Sequence, residues 1–321
     1  MNELKDNSIS KYKPILDYLY KMYYEGFTEH SSVTSSHWKE LGQQIVSVEN
    51  GTYKFKGLGF GEFKSRGIVN GIQQFPIKIL LSYLLRKHNC PQYLLDCGKN
   101  IVQRMGCIIN YDHVKQILSV SKILKTLGQG ESFSGQGIKT VCVIGDGYGF
   151  FSNLLRELDS DIKVITVNIG RTLFFDVQYS ERCFPDNRVT LVKTKEDLDS
   201  QILVSQQVFI EAENYNLLEN LEIDLFINIA SMMEMDHHVV DNYFKYMRSS
   251  PKSPCYFYCC NRVRKELPDG TVTEFLKYPW KESDEILLDE CCPSYQKYPA
   301  SLPPFWRPLD GEHQHRLVKF K

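Results

Sequence analysis

Apolar residues recur at helical spacing through the first 135 residues. Ile15, Leu16, Leu19, Tyr20 and Tyr23 share one face of a helix predicted over 12–24, and the same spacing predicts helices over 72–86 and 114–127. The run GLGFGEFKSRG (57–67) follows no strand, so it lacks the setting of a phosphate loop and reads as a lid segment. A glycine- and serine-rich stretch, GQGESFSGQG (128–137), reads as a linker. Beyond it the pattern changes. Apolar runs at 139–145, 164–168, 208–212, 224–229 and 255–260 alternate with helical stretches at 150–158, 173–183 and 232–247, and 317–320 alternates like a last strand. Such alternation predicts a mostly parallel sheet with helices on both faces. The expected organisation is a mainly helical segment, 1–135, ahead of an α/β domain, 136–321.

The first of these runs ends in Gly145-Asp146-Gly147-Tyr148-Gly149, and a helix follows at once. Glycine supplies positive φ and lets a ligand approach the backbone, while the helix N-terminus offers free N–H groups. A dinucleotide fingerprint, G-x-G-x-x-G, needs glycine at position 150, and the residue there is Phe150. The second strand ends in Asn168, whose amide can both donate and accept hydrogen bonds. A simple turn asparagine is the plainer alternative there.

The G-x-G-x-G spacing is similar to the loop with which class I methyltransferases wrap the amino-acid end of S-adenosylmethionine. Taking in Asn228-Ile229-Ala230-Ser231-Met232-Met233-Glu234-Met235, the chain resembles the sugar O-methyltransferase family, whose members carry a related stretch after the fourth strand. The stretches 256–262, Leu267-Pro268-Asp269-Gly270, Tyr278-Pro279-Trp280, Asp310-Gly311 and His315-Arg316-Leu317 extend the resemblance over 138–321. It implies a Rossmann-like α/β domain with a mostly parallel seven-stranded sheet. It also implies S-adenosylmethionine as cofactor and a sugar or glycan hydroxyl as acceptor, as on a polysaccharide precursor. Gly145, Asp146, Gly147, Tyr148, Gly149, Asn168, Asn228 and Ser231 are then cofactor-binding candidates, with Glu213 and Asn214 placed for adenine. One departure is Val143, where these enzymes often carry an acidic residue; Asp146 is the candidate substitute.

An alcohol is a poor nucleophile until its proton leaves, so a positioned base is expected. Glu234, His237 and His315 are the candidates. Each has a structural alternative. Ser231-x-x-Glu234 reads as a capping box opening the helix 232–247. His237 and His238 lie off the apolar stripe of Val239, Val240, Tyr243, Phe244 and Met247, as solvated histidines would. His315 is expected in a loop before the last strand, as a base or as a structural histidine. Arg262, directly after a strand, suits sugar hydroxyls or a sugar phosphate. Tyr278 and Trp280 either stack on a sugar face or fill a small core.

Composition narrows the rest. Thirty-eight basic and 39 acidic residues give a net charge of −1, hence no overall pull toward nucleic acid or anionic lipid. No run reaches the roughly 20 apolar residues of a membrane span, and no signal-peptide pattern opens the chain, so a cytoplasmic protein is expected. Ten cysteines then read as free thiols. The vicinal pairs Cys259-Cys260 and Cys291-Cys292 lack zinc spacing, because neighbours on a strand point to opposite faces. No metal is expected, and the helix over 12–24 is a candidate for pairing subunits. Two rivals stand beside the methyltransferase reading: an NAD-dependent oxidoreductase and a non-catalytic binding module.

Overall fold

The computed structural model describes residues 10–25, 34–36, 45–49, 52–56, 62–63, 68–128 and 130–321. Its centre is one sheet of eight strands. In chain order these are β1 (Thr140–Ile144), β2 (Lys163–Asn168), β3 (Val189–Val192), β4 (Gln207–Glu211), β5 (Leu225–Ile229), β6 (Cys255–Arg262), β7 (Glu285–Cys291) and β8 (His313–Phe320). Their spatial order is β7-β8-β6-β5-β1-β2-β4-β3. All pairs from β3 to β6 are parallel, and β8 runs antiparallel to both β6 and β7. The segment β4-β2-β1-β5-β6 reproduces the 3-2-1-4-5 order of doubly wound sheets, with its reversal between β1 and β5. The fold class expected from the sequence is therefore observed, with one correction: the sheet has eight strands, not seven. The short edge strand β3 is the addition, four residues of a charged neighbourhood that become a strand only by pairing with β4.

Helices flank the sheet. They are α1 (Lys13–Tyr20), α2 (Ile68–Lys87), α3 (Gln92–Arg104), α4 (Tyr111–Leu127), α5 (Phe150–Leu158), α6 (Gly170–Cys183), α7 (Lys195–Gln201) and α8 (His237–Arg248). Alternation along the strands separates two of the three apolar clusters. Val141, Val143, Tyr258 and Cys260 face one apolar cluster with Leu94 and Ile101 of α3, Val114 and Ile117 of α4, and Phe150. Cys142, Ile144, Phe257 and Cys259 face the other with Val240, Tyr243 and Phe244 of α8. Adjacent Cys259 and Cys260 thus lie on opposite faces, and both are free thiols. Gly98 brings α3 against α4 so tightly that a Cβ would sit 2.5 Å from the Ile117 side chain.

Two sequence expectations change in detail, and a third falls mostly outside the described residues. The linker at 128–137 is docked: Phe133 is fully buried, and Asp159 accepts hydrogen bonds from the Phe133 and Ser134 N–H groups at 3.0 and 2.8 Å. The helix expected over 232–247 starts only at His237, after a single 3-10 turn, Met232–Glu234. Of the segment 57–67, only the strand Glu62–Phe63 is described, paired with Cys107–Ile108; the lid reading otherwise lies outside the described residues. Among the described residues no helix is long and apolar enough to cross a membrane.

Candidate functional site

In a doubly wound sheet, ligands bind beyond the carboxyl ends of the strands, at the point where the strand order reverses. Here β1 and β5 meet at that point. After β1, Gly145, Gly147 and Gly149 hold φ of 72°, 87° and 87°. L side chains rarely adopt this region, so the turn depends on its three glycines. After β5, Ala230 also takes positive φ, 55°, and swings Ser231 over the turn. A Cβ on Gly145 would lie 2.0 Å from Ser231 Oγ. The Ser231 hydroxyl accepts no capping hydrogen bond from the following turn, so the capping box expected with Glu234 does not form.

Asp146 lies between the first two glycines and is buried. Its carboxylate accepts hydrogen bonds from the N–H groups of Phe151 at 3.0 Å and Ser152 at 2.7 Å. It caps α5 and places a carboxylate at the helix N-terminus, where a phosphate would otherwise bind. Burial raises its carboxyl above the ordinary range, and the hydrogen bonds oppose that rise.

The second rim is built from β2 and β4. Asn168 and Glu211 end these neighbouring strands in register. The Asn168 amide is engaged within the protein: Nδ2 donates to Asp176 Oδ2 at 2.8 Å, and Oδ1 accepts from the Ile169 N–H at 3.0 Å. Asp176, on α6, is buried with its Oδ1 lacking a hydrogen-bond partner, and burial together with the Asp146 charge pushes its carboxyl well up. Glu211 accepts hydrogen bonds from the hydroxyls of Tyr23 and Tyr18, the latter at 3.2 Å. Glu213 and Asn214 follow in the 3-10 segment Ala212–Leu218, and Glu213 Oε2 is buried without a partner. The Tyr23 ring covers the α6 N-terminus, 2.0 Å from where a Gly170 Cβ would be.

Asn228 is at the switch point but fully buried. Its Nδ2 donates to the Ile144 carbonyl at 2.8 Å, while its Oδ1 accepts from the Met232 N–H at 3.0 Å and from Asn261 Nδ2 at 2.8 Å. Asn261 Oδ1 takes the Met233 N–H at 3.1 Å. This asparagine pair folds the Ala230–Glu234 turn rather than facing a ligand.

The candidate bases separate. Glu234 lies beyond β5 and pairs with Lys265 Nζ at 2.7 Å, both side chains mostly buried. His237 and His238 are exposed on the first turn of α8. His315 is not in a loop: β8 begins at His313, so His315 is strand interior and 2% exposed. Its Nδ1 lies 3.0 Å from the Tyr258 hydroxyl and its Nε2 3.2 Å from Glu290 Oε1, which gives it a structural place in the core. His313, unnoticed in the sequence, pairs with Arg262 across β8 and β6. Burial, with Arg262 next, pushes its imidazole down to about 4, so it is neutral at pH 7.

Arg262 reaches the rim, where its guanidinium meets the exposed Asp310 carboxylate at 2.9 Å. Tyr278 and Trp280 do not reach it. They fill a core of Phe244, Phe257 and Phe275 under α8, with the Trp280 ring stacked on Phe257 at 5.8 Å. Trp280 Nε1 donates to the Phe275 carbonyl at 2.9 Å, so of the two alternatives read from the sequence these rings take the small core and not the sugar face. Among the described residues no group of three or more His, Cys, Asp or Glu side chains is placed to hold a metal ion.

No protein-family model and no curated protein matches the chain. Solved structures with a similar fold include the N-methyltransferase NodS of Bradyrhizobium japonicum in complex with S-adenosylhomocysteine. The two chains are 9% identical over 63% of this chain and 86% of NodS, with a TM-score of 0.38. Magnesium protoporphyrin IX methyltransferase of Synechocystis, with bound S-adenosylmethionine, is 10% identical over 65% of this chain and 81% of its own, with a TM-score of 0.38. The mitomycin 7-O-methyltransferase MmcR is 10% identical over 65% of this chain and 57% of its own, with a TM-score of 0.36. By its own strand order and parallel connections, the chain is a Rossmann-like α/β protein with a three-glycine turn at the switch point.

Proposed function

We propose that the protein is an S-adenosylmethionine-dependent O-methyltransferase acting on a sugar hydroxyl. The observation that carries the cofactor is the Asp146 cap. Its buried carboxylate takes the Phe151 and Ser152 N–H groups at the head of α5. A pyrophosphate there would lose two donors and meet like charge, whereas a ligand with a sulfonium and an ammonium and no phosphate meets neither cost. That disfavours the dinucleotide reading. The glycine turn offers the approach for the amino-acid end, and Glu211 and Glu213, at and just after the end of β4, are our choice of acceptors for ribose hydroxyls and adenine. The cofactor, when bound, supplies an electrophilic methyl group.

What the chain adds is alignment and a proton acceptor. Glu234 follows the Ser231 turn at the switch point and is our choice of base, with Lys265 holding it in place. Arg262, tethered by Asp310, is the group that would orient acceptor hydroxyls. The choice of a sugar rests on the resemblance carried by residues 228–235 and by the C-terminal stretches.

Thermal unfolding with S-adenosylhomocysteine, with NAD in parallel, tests the cofactor. Ligand at about 100 times its dissociation constant adds about 2.7 kcal/mol, and a chain of this size moves by about 2–4 °C per kcal/mol. A shift with S-adenosylhomocysteine alone supports the reading, and a shift with NAD alone ends it. A cofactor shift with no methyl transfer to any of a panel of sugars and nucleotide sugars would leave a binding module.

A further inference from the structure

Helix α2 is apolar on two sides. Leu81, Leu84 and Leu85 are buried in the core shared with α4. The opposite face consists of Phe75, Lys78, Ile79, Ser82, Tyr83 and Arg86, all exposed, at the three-and-four spacing of one helical stripe. Phe75, Ile79 and Tyr83 are 63%, 52% and 54% exposed. A helix with a second apolar face is expected to cover it with something other than water.

The surroundings of this stripe indicate what. The helix packs against the strand Lys297–Pro299, whose hairpin partner is Trp306–Pro308. The hairpin tip exposes Leu302 and Phe305, at 68% and 46%. Neither residues 68–87 nor residues 293–309 contain a single Asp or Glu, while they carry Lys78, Arg86, Lys87, Lys297 and Arg307. Among the described residues Lys78 and Arg86 form no ion pair. With Ile79, Ser82 and Tyr83 they line a concavity of about 440 Å³. Apolar side chains flanked by basic groups that form no ion pair among the described residues, in two segments without Asp or Glu, match the boundary of an anionic bilayer, where apolar groups enter the acyl region and cations meet headgroups.

We infer that the outer face of α2 and the 300–305 hairpin tip form a peripheral docking surface for anionic lipid membranes. The chain as a whole has a net charge of −1, so attraction would be local to this face and would orient the molecule. The hairpin follows β7, whose last residue lies at the same end of the sheet as the carboxyl end of β6, so docking would bring the acceptor rim close to the bilayer. The inference does not depend on the methyl-transfer reading.

The test is co-sedimentation of the full chain with vesicles of phosphatidylcholine alone or with about a quarter phosphatidylglycerol, at low and high salt. Binding to the anionic vesicles only, weakened by salt, is expected. Lys78→Gln with Arg86→Gln should weaken it roughly 25-fold, at about fivefold per charge. Phe75→Ser with Ile79→Ser, and separately Leu302→Ser with Phe305→Ser, should abolish stable binding while leaving the unfolding midpoint unchanged, because all four side chains are exposed. Equal binding to both vesicle types, or unaffected binding by all three variants, would overturn the inference. So would a concentration-dependent dimer that is lost in the Phe75 and Ile79 variant without any vesicle binding, since a second copy would then cover the face.

Discussion

Gly145 and Ser231 face each other across the switch point, the first opening the turn after β1 and the second lying in the turn after β5. A Cβ at Gly145 would come within 2.0 Å of Ser231 Oγ. The contact closes the base of the candidate cofactor site and ties the glycine turn to the segment that carries Glu234.

Gly145→Ala should therefore fail in two ways. The left-handed backbone at φ 72° costs about 1–2 kcal/mol for a residue with a Cβ, and the overlap with Ser231 adds to that. The expected result is a lower unfolding midpoint and loss of the S-adenosylhomocysteine shift. Adding Ser231→Gly should recover the steric part but not the backbone part. Full recovery of stability in the double variant would show that the backbone conformation costs nothing.

Asp176 makes stability fall with pH. Its folded-state carboxyl titrates well above the ordinary 3.8, so between that value and its raised one the folded protein binds more protons than the unfolded chain. The stabilisation is complete below the unfolded value and is lost as pH rises through the folded one. Asp176→Asn keeps an acceptor for Asn168 and removes the buried charge. The variant should melt higher than the parent at neutral pH, by about 2–4 °C per kcal/mol recovered, and the difference should vanish in acid. A variant that melts lower at neutral pH would mean that the charge has an unseen partner.

Glu211 should govern cofactor affinity. A hydrogen bond to a charged group is worth about 1.5–3 kcal/mol, so Glu211→Gln is expected to weaken S-adenosylhomocysteine binding by roughly tenfold or more in calorimetry. Tyr23→Phe removes only a donor from the same carboxylate and should change affinity less. Unchanged affinity in Glu211→Gln would move the ribose contact elsewhere.

Glu234→Gln separates binding from chemistry. General-base loss typically costs 10²- to 10⁴-fold, so kcat should drop by about that much while the cofactor shift is retained. His315→Gln should instead lower the unfolding midpoint and leave kcat of the folded fraction near its parent value, because His315 is locked between Tyr258 and Glu290. The opposite pattern would exchange their roles.

Much of this was legible in the sequence for a local reason. The period of the apolar residues named the parallel strands β1, β2, β4, β5 and β6 with α1, α2 and α4, and the glycine turn declared itself because its strand, turn and helix are consecutive. Helix α3 escaped notice because its apolar face includes Gly98, which packs on Ile117 by being small. Strand β3 escaped because four residues carry no period of their own. Glu211 ends a visible apolar run and was within reach of the sequence, whereas Asp176 sits inside a helix where nothing marks it.

The sequence alone determined the layered α/β architecture, the turn at the end of β1 and the sign of every charge, since these depend on neighbours a few residues apart. Only tertiary structure decided what each polar side chain does. Asp146 became a helix cap, Asn228 a buried bracket with Asn261, His315 a core residue, and Tyr278 and Trp280 part of an aromatic core. Those outcomes depend on which elements lie side by side, and the fold brings together residues as far as 233 positions apart, as Ser36 and Asp269 are. Hydrogen bonding and burial are set by such distant partners, and a pattern of periods along the chain contains no information about them.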